Sequence, residues 1–165
     1  MIRRALVVAA IAASLAFGAA GCALKAASPH AGGEETKVRD TVVLYDQLLA
    51  QGFERENMSP LGQVATTDQA YKEYYQMAAI GEMKRRLLPA LVSFEMGPVS
   101  LEGTGTASVS TTETWDYVQV STAKESSGTV AARETGVVYR LTYTLVKKGE
   151  RWFVSSIRDA GGRAR

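Results

Sequence analysis

From Ala107 to Tyr117 every second residue takes one kind of side chain. Ala107, Val109, Thr111, Glu113, Trp115 and Tyr117 alternate with Ser108, Ser110, Thr112, Thr114, Asp116 and Val118. A period of two puts successive side chains on opposite faces, so this stretch predicts a long strand with one buried face. The same period returns from Val137 to Val146, where Tyr139, Leu141, Tyr143 and Leu145 oppose Arg140, Thr142 and Thr144. Lys147-Lys148-Gly149-Glu150 reads as a hairpin turn, and Arg151 to about Arg158, with Trp152, Phe153, Val154 and Ile157, as the last strand. Upstream, Leu91 to Leu101 reads as a strand with a bulge or bend at Gly97-Pro98, closed by a turn over Glu102-Gly103-Thr104-Gly105.

Before residue 89 the period is helical. Val38, Val42, Tyr45 and Leu49 recur at spacings of three and four, with Leu48 and Phe53 widening the stripe and Lys37, Arg39, Asp40, Asp46 and Gln47 mostly opposite, so Glu34 to about Phe53 predicts an amphipathic helix. Asn57 to Gly62, with Pro60, reads as a connection. A second helix is expected from Thr67 or Asp68 to about Leu87, ending before Pro89, with Tyr71, Tyr74, Tyr75, Ala78 and Met83 as its buried face. Gly81 weakens that helix by about 1 kcal/mol relative to alanine and predicts a break or kink. Helices followed by long antiparallel strands predict an α+β domain, with the amino-terminal helices packed on a curved, cone-like sheet of about four strands.

Ahead of the domain, Arg3 and Arg4 precede an uncharged apolar stretch, Ala5 to Ala20, and small residues. These are the parts of a secretory signal peptide, and the stretch is short for a membrane span of about 20 residues. Ala19-Ala20-Gly21-Cys22 resembles the bacterial lipoprotein box, with Ala19 where leucine is usual. The resemblance implies cleavage before Cys22, the only cysteine, and its acylation, which would anchor the chain to a bilayer. Residues 1–21 are then the signal peptide, 22–33 the lipidated cysteine and a flexible tether spanning roughly 20 Å, 34–160 one domain and 161–165 a tail. Ala23 after the cysteine favours the periplasmic face of an outer membrane over retention at the inner one, in the lipoproteins that this segment resembles.

Charge narrows the partners. Removing residues 1–21 takes Arg3 and Arg4 from the 19 Lys+Arg and leaves 17 against 17 Asp+Glu, which gives no basic face for nucleic acid. Lys84-Arg85-Arg86 is the one basic run and reads as the solvated end of a helix. The sole histidine, His30, lies in the tether, so neither a metal site nor a histidine-based nucleophilic set is expected, and no cofactor is implied.

The segments Thr112-Glu113-Thr114-Trp115-Asp116-Tyr117, Tyr139 to Leu145 and Arg151-Trp152-Phe153-Val154 resemble the nuclear transport factor 2-like superfamily, most of all the intermembrane-space-type domain of chloroplast-division proteins and related bacterial proteins. That resemblance spans about Glu34 to Asp159 and implies a cone whose cavity serves catalysis, ligand binding or partner contacts. Glu113 stands on the apolar face with Val109, Trp115 and Tyr117, where a carboxylate must find partners or resist ionisation. Two functions follow from these residues. One is a binding module in the cell envelope for a protein or a small apolar molecule, with Glu113, Trp115, Tyr117, Tyr139, Tyr143 and Trp152 as the candidate pocket or interface. The other is a proton-transfer enzyme of the ketosteroid-isomerase kind, with Glu113 as base and Tyr139 or Tyr143 as donor; a purely structural envelope role remains a third option. The anchor has its own test: radioactive fatty acid fed to cells should label the wild-type chain and not Cys22→Ser, and label retained in Cys22→Ser contradicts acylation at that residue.

Overall fold

The computed structural model describes residues 33–160. Cys22, His30 and most of the expected tether, like the tail from 161, lie outside the described residues. Helix α1, Glu34–Arg55, runs to a left-handed Glu56 (φ 53°). Acidic Glu34 and Glu35 in its first turn and Arg55 in its last complement the helix dipole. Val38, Val42, Tyr45, Leu49 and Phe53 are all buried, as the spacing predicts, but so is Asp46, which the sequence pattern puts on the polar side. A 3₁₀ turn over Ser59–Gln63 leads to α2, Thr67–Glu82, whose first turn is capped by Thr66 Oγ1 accepting from the Gln69 amide.

Helix α2 departs from expectation in two ways. It ends at Glu82, one residue past Gly81, and Lys84 adopts a left-handed conformation (φ 56°). Leu87 and Pro89 therefore belong to a strand. Its buried face is also different: Tyr71, Tyr74, Tyr75 and Met83 are exposed, at 53, 47, 67 and 56 %, while Gln69 and Glu73 are buried and Ala70, Met77 and Ile80 pack on the core. The inward stripe thus includes two polar residues, and it is hydrogen bonding that makes their burial tolerable.

Four antiparallel strands follow in the order of the chain: β1 Arg85–Glu102, β2 Thr106–Ser121, β3 Val130–Lys148 and β4 Arg151–Asp159. The sheet is open, with β1 and β4 at its edges. An edge position explains how Pro89, opposite Tyr117, fits inside a strand, since a proline lacks only the ladder bond an edge can forgo. The basic run straddles a boundary: Lys84 lies in the turn that closes α2, its N–H donating to Gly81 O, while Arg85 and Arg86 begin this strand and Arg85 donates to the Gln119 side chain. Register shifts between Leu91 and Ser93, between Met96 and Val99 around Gly97-Pro98, and between Trp115 and Tyr117 bend the sheet.

The helices cover one face. Val38, Val42, Tyr45 and Leu49 pack with Val109, Leu141, Tyr143, Leu145 and Val154 in one core cluster. The α1–α2 connection guards the β4 edge, where Thr66 N–H donates to Val154 O and Val154 N–H to Val64 O, both at 2.8 Å. The first turn of α1 is tied to the β3–β4 hairpin through Glu34, which accepts from Trp152 Nε1 at 2.8 Å and pairs with Lys37 at 2.8 Å and Lys147 at 3.0 Å. Those bonds, from Lys37 first and then Lys147 and Trp152, lower the Glu34 carboxyl from its ordinary 4.5 to about 2. A depressed value in the folded state stabilises fully above about pH 4.5 and is lost as pH falls toward 2. Glu34→Gln should accordingly lower the melting temperature at neutral pH, with the gap to wild type closing between pH 4.5 and 2 in a thermal melt series.

Candidate functional site

Strand β2 carries Thr111, Glu113 and Trp115 on one face because residues two apart point the same way. Glu113 has no exposed surface, and the side chains flanking it both donate to it: Thr111 Oγ1 to Oε1 at 2.7 Å and Trp115 Nε1 to Oε2 at 2.8 Å. From β3 the Tyr143 hydroxyl lies 2.8 Å from the same Oε1 and 2.9 Å from Asp46 Oδ1 of α1. A phenol has one proton, so at any instant it serves one of the two carboxyl groups, which are coupled through it.

A second polar knot lies beside the first. Tyr45 Oη donates to Glu73 Oε1 at 2.8 Å, while Gln69 Nε2 donates to Tyr45 Oη at 3.0 Å and to Glu73 Oε1 at 2.9 Å. The Tyr45 phenol is held well above the usual tyrosine range, first by burial and then by the Glu73 carboxylate. The rings of Tyr45 and Tyr143 meet edge to face at 6.0 Å, which joins the two knots. Both α-helices and the two central strands therefore contribute to one buried polar layer. Asp46, Gln69 and Glu73 were not candidates from the sequence; the readable signal was Gln69, Glu73, Met77 and Ile80 at spacings of three and four, a stripe masked by the more apolar tyrosines next to it.

In front of this layer a cavity of about 230 Å³ opens between the helices and the sheet. Leu49, Ala50 and Phe53 of α1 and Glu73, Gln76 and Ile80 of α2 form one wall; Leu87 and Pro89, Trp115, Tyr117 and Gln119, and Tyr139 with Ala132 to Glu134 form the other. Trp115 stacks on Tyr117 at 6.2 Å and 13°, and Tyr117 meets Tyr139 edge to face at 6.4 Å and 82°. Three expected residues, Trp115, Tyr117 and Tyr139, thus share the cavity. Glu113 and Tyr143 do not line it but stand behind Trp115, and Trp152 lies away from it, bonded to Glu34 at the hairpin end. The tyrosines of α2 form a separate outward ladder, with Tyr75 against Tyr71 at 6.2 Å and against Tyr74 at 5.9 Å. Among the described residues no group of three or more His, Cys, Asp or Glu is placed to hold a metal ion, and no helix is long and apolar enough to cross a membrane.

No family model and no curated protein sequence matches the chain. Fifteen solved chains match it in structure. One is the crystal structure of the intermembrane space region of chloroplast protein ARC6, with a TM-score of 0.64 and 11 % identity, covering 78 % of this chain and 97 % of that one. The two proteins share a fold. At 11 % identity the likeness to ARC6 extends to architecture and assigns no residue a role.

The polar layer makes a stability prediction. Tyr143→Phe leaves two buried carboxyls without their shared donor and should cost about 1–3 kcal/mol in urea unfolding. Tyr139→Phe, at a half-buried cavity position, should cost far less.

Proposed function

We propose that the chain is a membrane-anchored envelope lipoprotein with a nuclear transport factor 2-like domain, and that this domain works as a binding module. Its cavity would receive a small molecule or a segment of an envelope protein. One observation carries the reading: an aromatic corner of Trp115, Tyr117 and Tyr139 faces a cavity, and the indole is held from behind by Glu113. Rigid aromatics give contact area at low entropic cost, which is what a recognition surface needs. The lipoprotein box at Cys22 supports placement at a bilayer, with the periplasmic face of the outer membrane as the favoured location, and the resemblance to bacterial relatives of chloroplast-division proteins points the same way.

Proton transfer is the second reading, favoured by the 2.8 Å contact of Glu113 with Tyr143. A general base must reach a substrate proton within hydrogen-bond distance. Both Glu113 oxygens are already engaged by donors and the residue is sealed from solvent, so binding is the better-supported function.

The two readings separate experimentally. Purified in mild detergent from envelope, the full-length wild-type protein should carry a specific partner or small molecule that Tyr139→Ala loses while still melting cooperatively. Turnover of a ketosteroid-type substrate by wild type, lost in Glu113→Gln at an unchanged melting temperature, reverses the preference.

A further inference from the structure

The two polar knots differ in how many protons their geometry demands. Beside α2, three hydrogen bonds have three protons: Gln69 Nε2 gives one to Tyr45 Oη at 3.0 Å and one to Glu73 Oε1 at 2.9 Å, and the Tyr45 phenol gives its own to that Oε1 at 2.8 Å. Around Glu113 there are four bonds to make. Thr111 lies 2.7 Å from Oε1, Trp115 Nε1 2.8 Å from Oε2, and Tyr143 Oη 2.8 Å from Oε1 and 2.9 Å from Asp46 Oδ1. The threonine hydroxyl, the indole and the phenol supply three protons. One oxygen–oxygen pair at hydrogen-bond distance therefore has no donor unless a carboxyl group brings the fourth proton.

The surroundings say which carboxyl group that is. Thr111 and Trp115 give Glu113 two protons to accept whichever way the phenol turns, so the chain closes when Asp46 donates from Oδ1 to Tyr143 Oη and the phenol donates to Glu113. Asp46 is 1 % exposed, and burial favours the neutral acid. The titratable groups facing this layer come from every element packed on it: Tyr45 beside Asp46 on α1, Glu73 behind Tyr45 on α2, Glu113 on β2, Tyr143 and Tyr139 on β3, and Asp159 of β4 opposite Leu141. Strand β1 brings Phe94 opposite Glu113. Arg39, two turns earlier on α1, is directed to Gly97 O of β1 at 2.8 Å. A negative charge on Asp46 would thus add to a face already rich in carboxyls and phenols.

We propose that Asp46, Tyr143 and Glu113 form a proton latch between α1 and the sheet: Asp46 stays a neutral acid in the folded domain, and loss of its proton sets two carboxylates against one phenol and loosens the helix. The unfolded chain releases that proton at the ordinary aspartate value of about 3.9. The latch therefore contributes fully below about pH 4, and its contribution falls as pH rises toward the point at which folded Asp46 ionises. Asp46→Asn preserves the direction of the chain, because an amide N–H donates to Tyr143 Oη at every pH, and it abolishes the decline.

The test is carboxyl NMR of the full-length protein in a maltoside detergent, isotope-labelled at its aspartate γ-carbons. At neutral pH one aspartate resonance should stand at the neutral-acid position, where exposed aspartates appear only below about pH 4, and it should be missing from Asp46→Asn. In thermal melts the variant should gain on wild type steadily from about pH 4 to about pH 8. Hydrogen exchange reads the latch itself: in alkaline buffer the α1 amides of wild type should lose protection relative to those of Asp46→Asn. A wild-type spectrum with no neutral aspartic acid at neutral pH overturns the proposal, and it does so whether or not the variant folds. A neutral-acid resonance that survives in Asp46→Asn overturns it too, as does a variant that loses ground to wild type as pH rises, the behaviour of an ionised Asp46. Equal α1 protection at alkaline pH removes the loosening.

Discussion

A carboxyl group with no solvent contact is costly to bury, and Glu113 meets that cost with two donors from its own strand and a third, from β3, whose one proton it shares with Asp46. Two of the donors are free consequences of strand geometry, since Thr111 and Trp115 must share its face. The third, Tyr143, carries the connection across to Asp46 of α1, and the edge-to-face contact of Tyr143 with Tyr45 extends it to Gln69 and Glu73 of α2. Helix docking is therefore specified by directional bonds as well as by apolar contact. Apolar burial alone would allow α2 to rotate; Tyr45 fixes which of its faces turns inward.

That fixation explains the least expected feature of the molecule. Tyr71, Tyr74 and Tyr75 are more apolar than Gln69 and Glu73, yet the tyrosines face solvent while the two polar residues are inside. The same layer shapes the cavity. Glu73 is shared between the two, Trp115 is clamped by the layer on its N–H edge and stacked on Tyr117 toward the opening, and the register shift between Trp115 and Tyr117 re-aims the strand there. Stability and recognition are thus built from shared residues, which ties the orientation of the cavity wall to the integrity of the core.

Much of the architecture was legible in the chain. The three-and-four spacing of Val38, Val42, Tyr45 and Leu49, the alternation through β2, the bend at Gly97-Pro98 and the turn at Gly149 each follow from a local rule, and each element forms where that rule puts it. Glu113 on the apolar face was legible for the same reason. The end of α2 was not: Pro89 reads as a helix stop, and only its place on a sheet edge reveals a strand that starts four residues earlier. Asp46 and Glu73 were missed because their burial depends on partners far along the chain, Tyr143 for one and Tyr45 for the other, which no local period encodes. The separation of Glu113 and Tyr143 from the cavity is likewise a matter of depth, and alternation reports a face without reporting depth.

The central claim is that Glu113 holds the aromatic wall in place, and hydrogen exchange of the Trp115 indole proton reads it directly. Trp152, whose indole bonds to the more accessible Glu34, serves as the internal reference. The account predicts that the Trp115 indole proton exchanges only as slowly as the most protected core amides, while that of Trp152 exchanges through local opening. Rapid exchange at Trp115 in an otherwise protected core would contradict it.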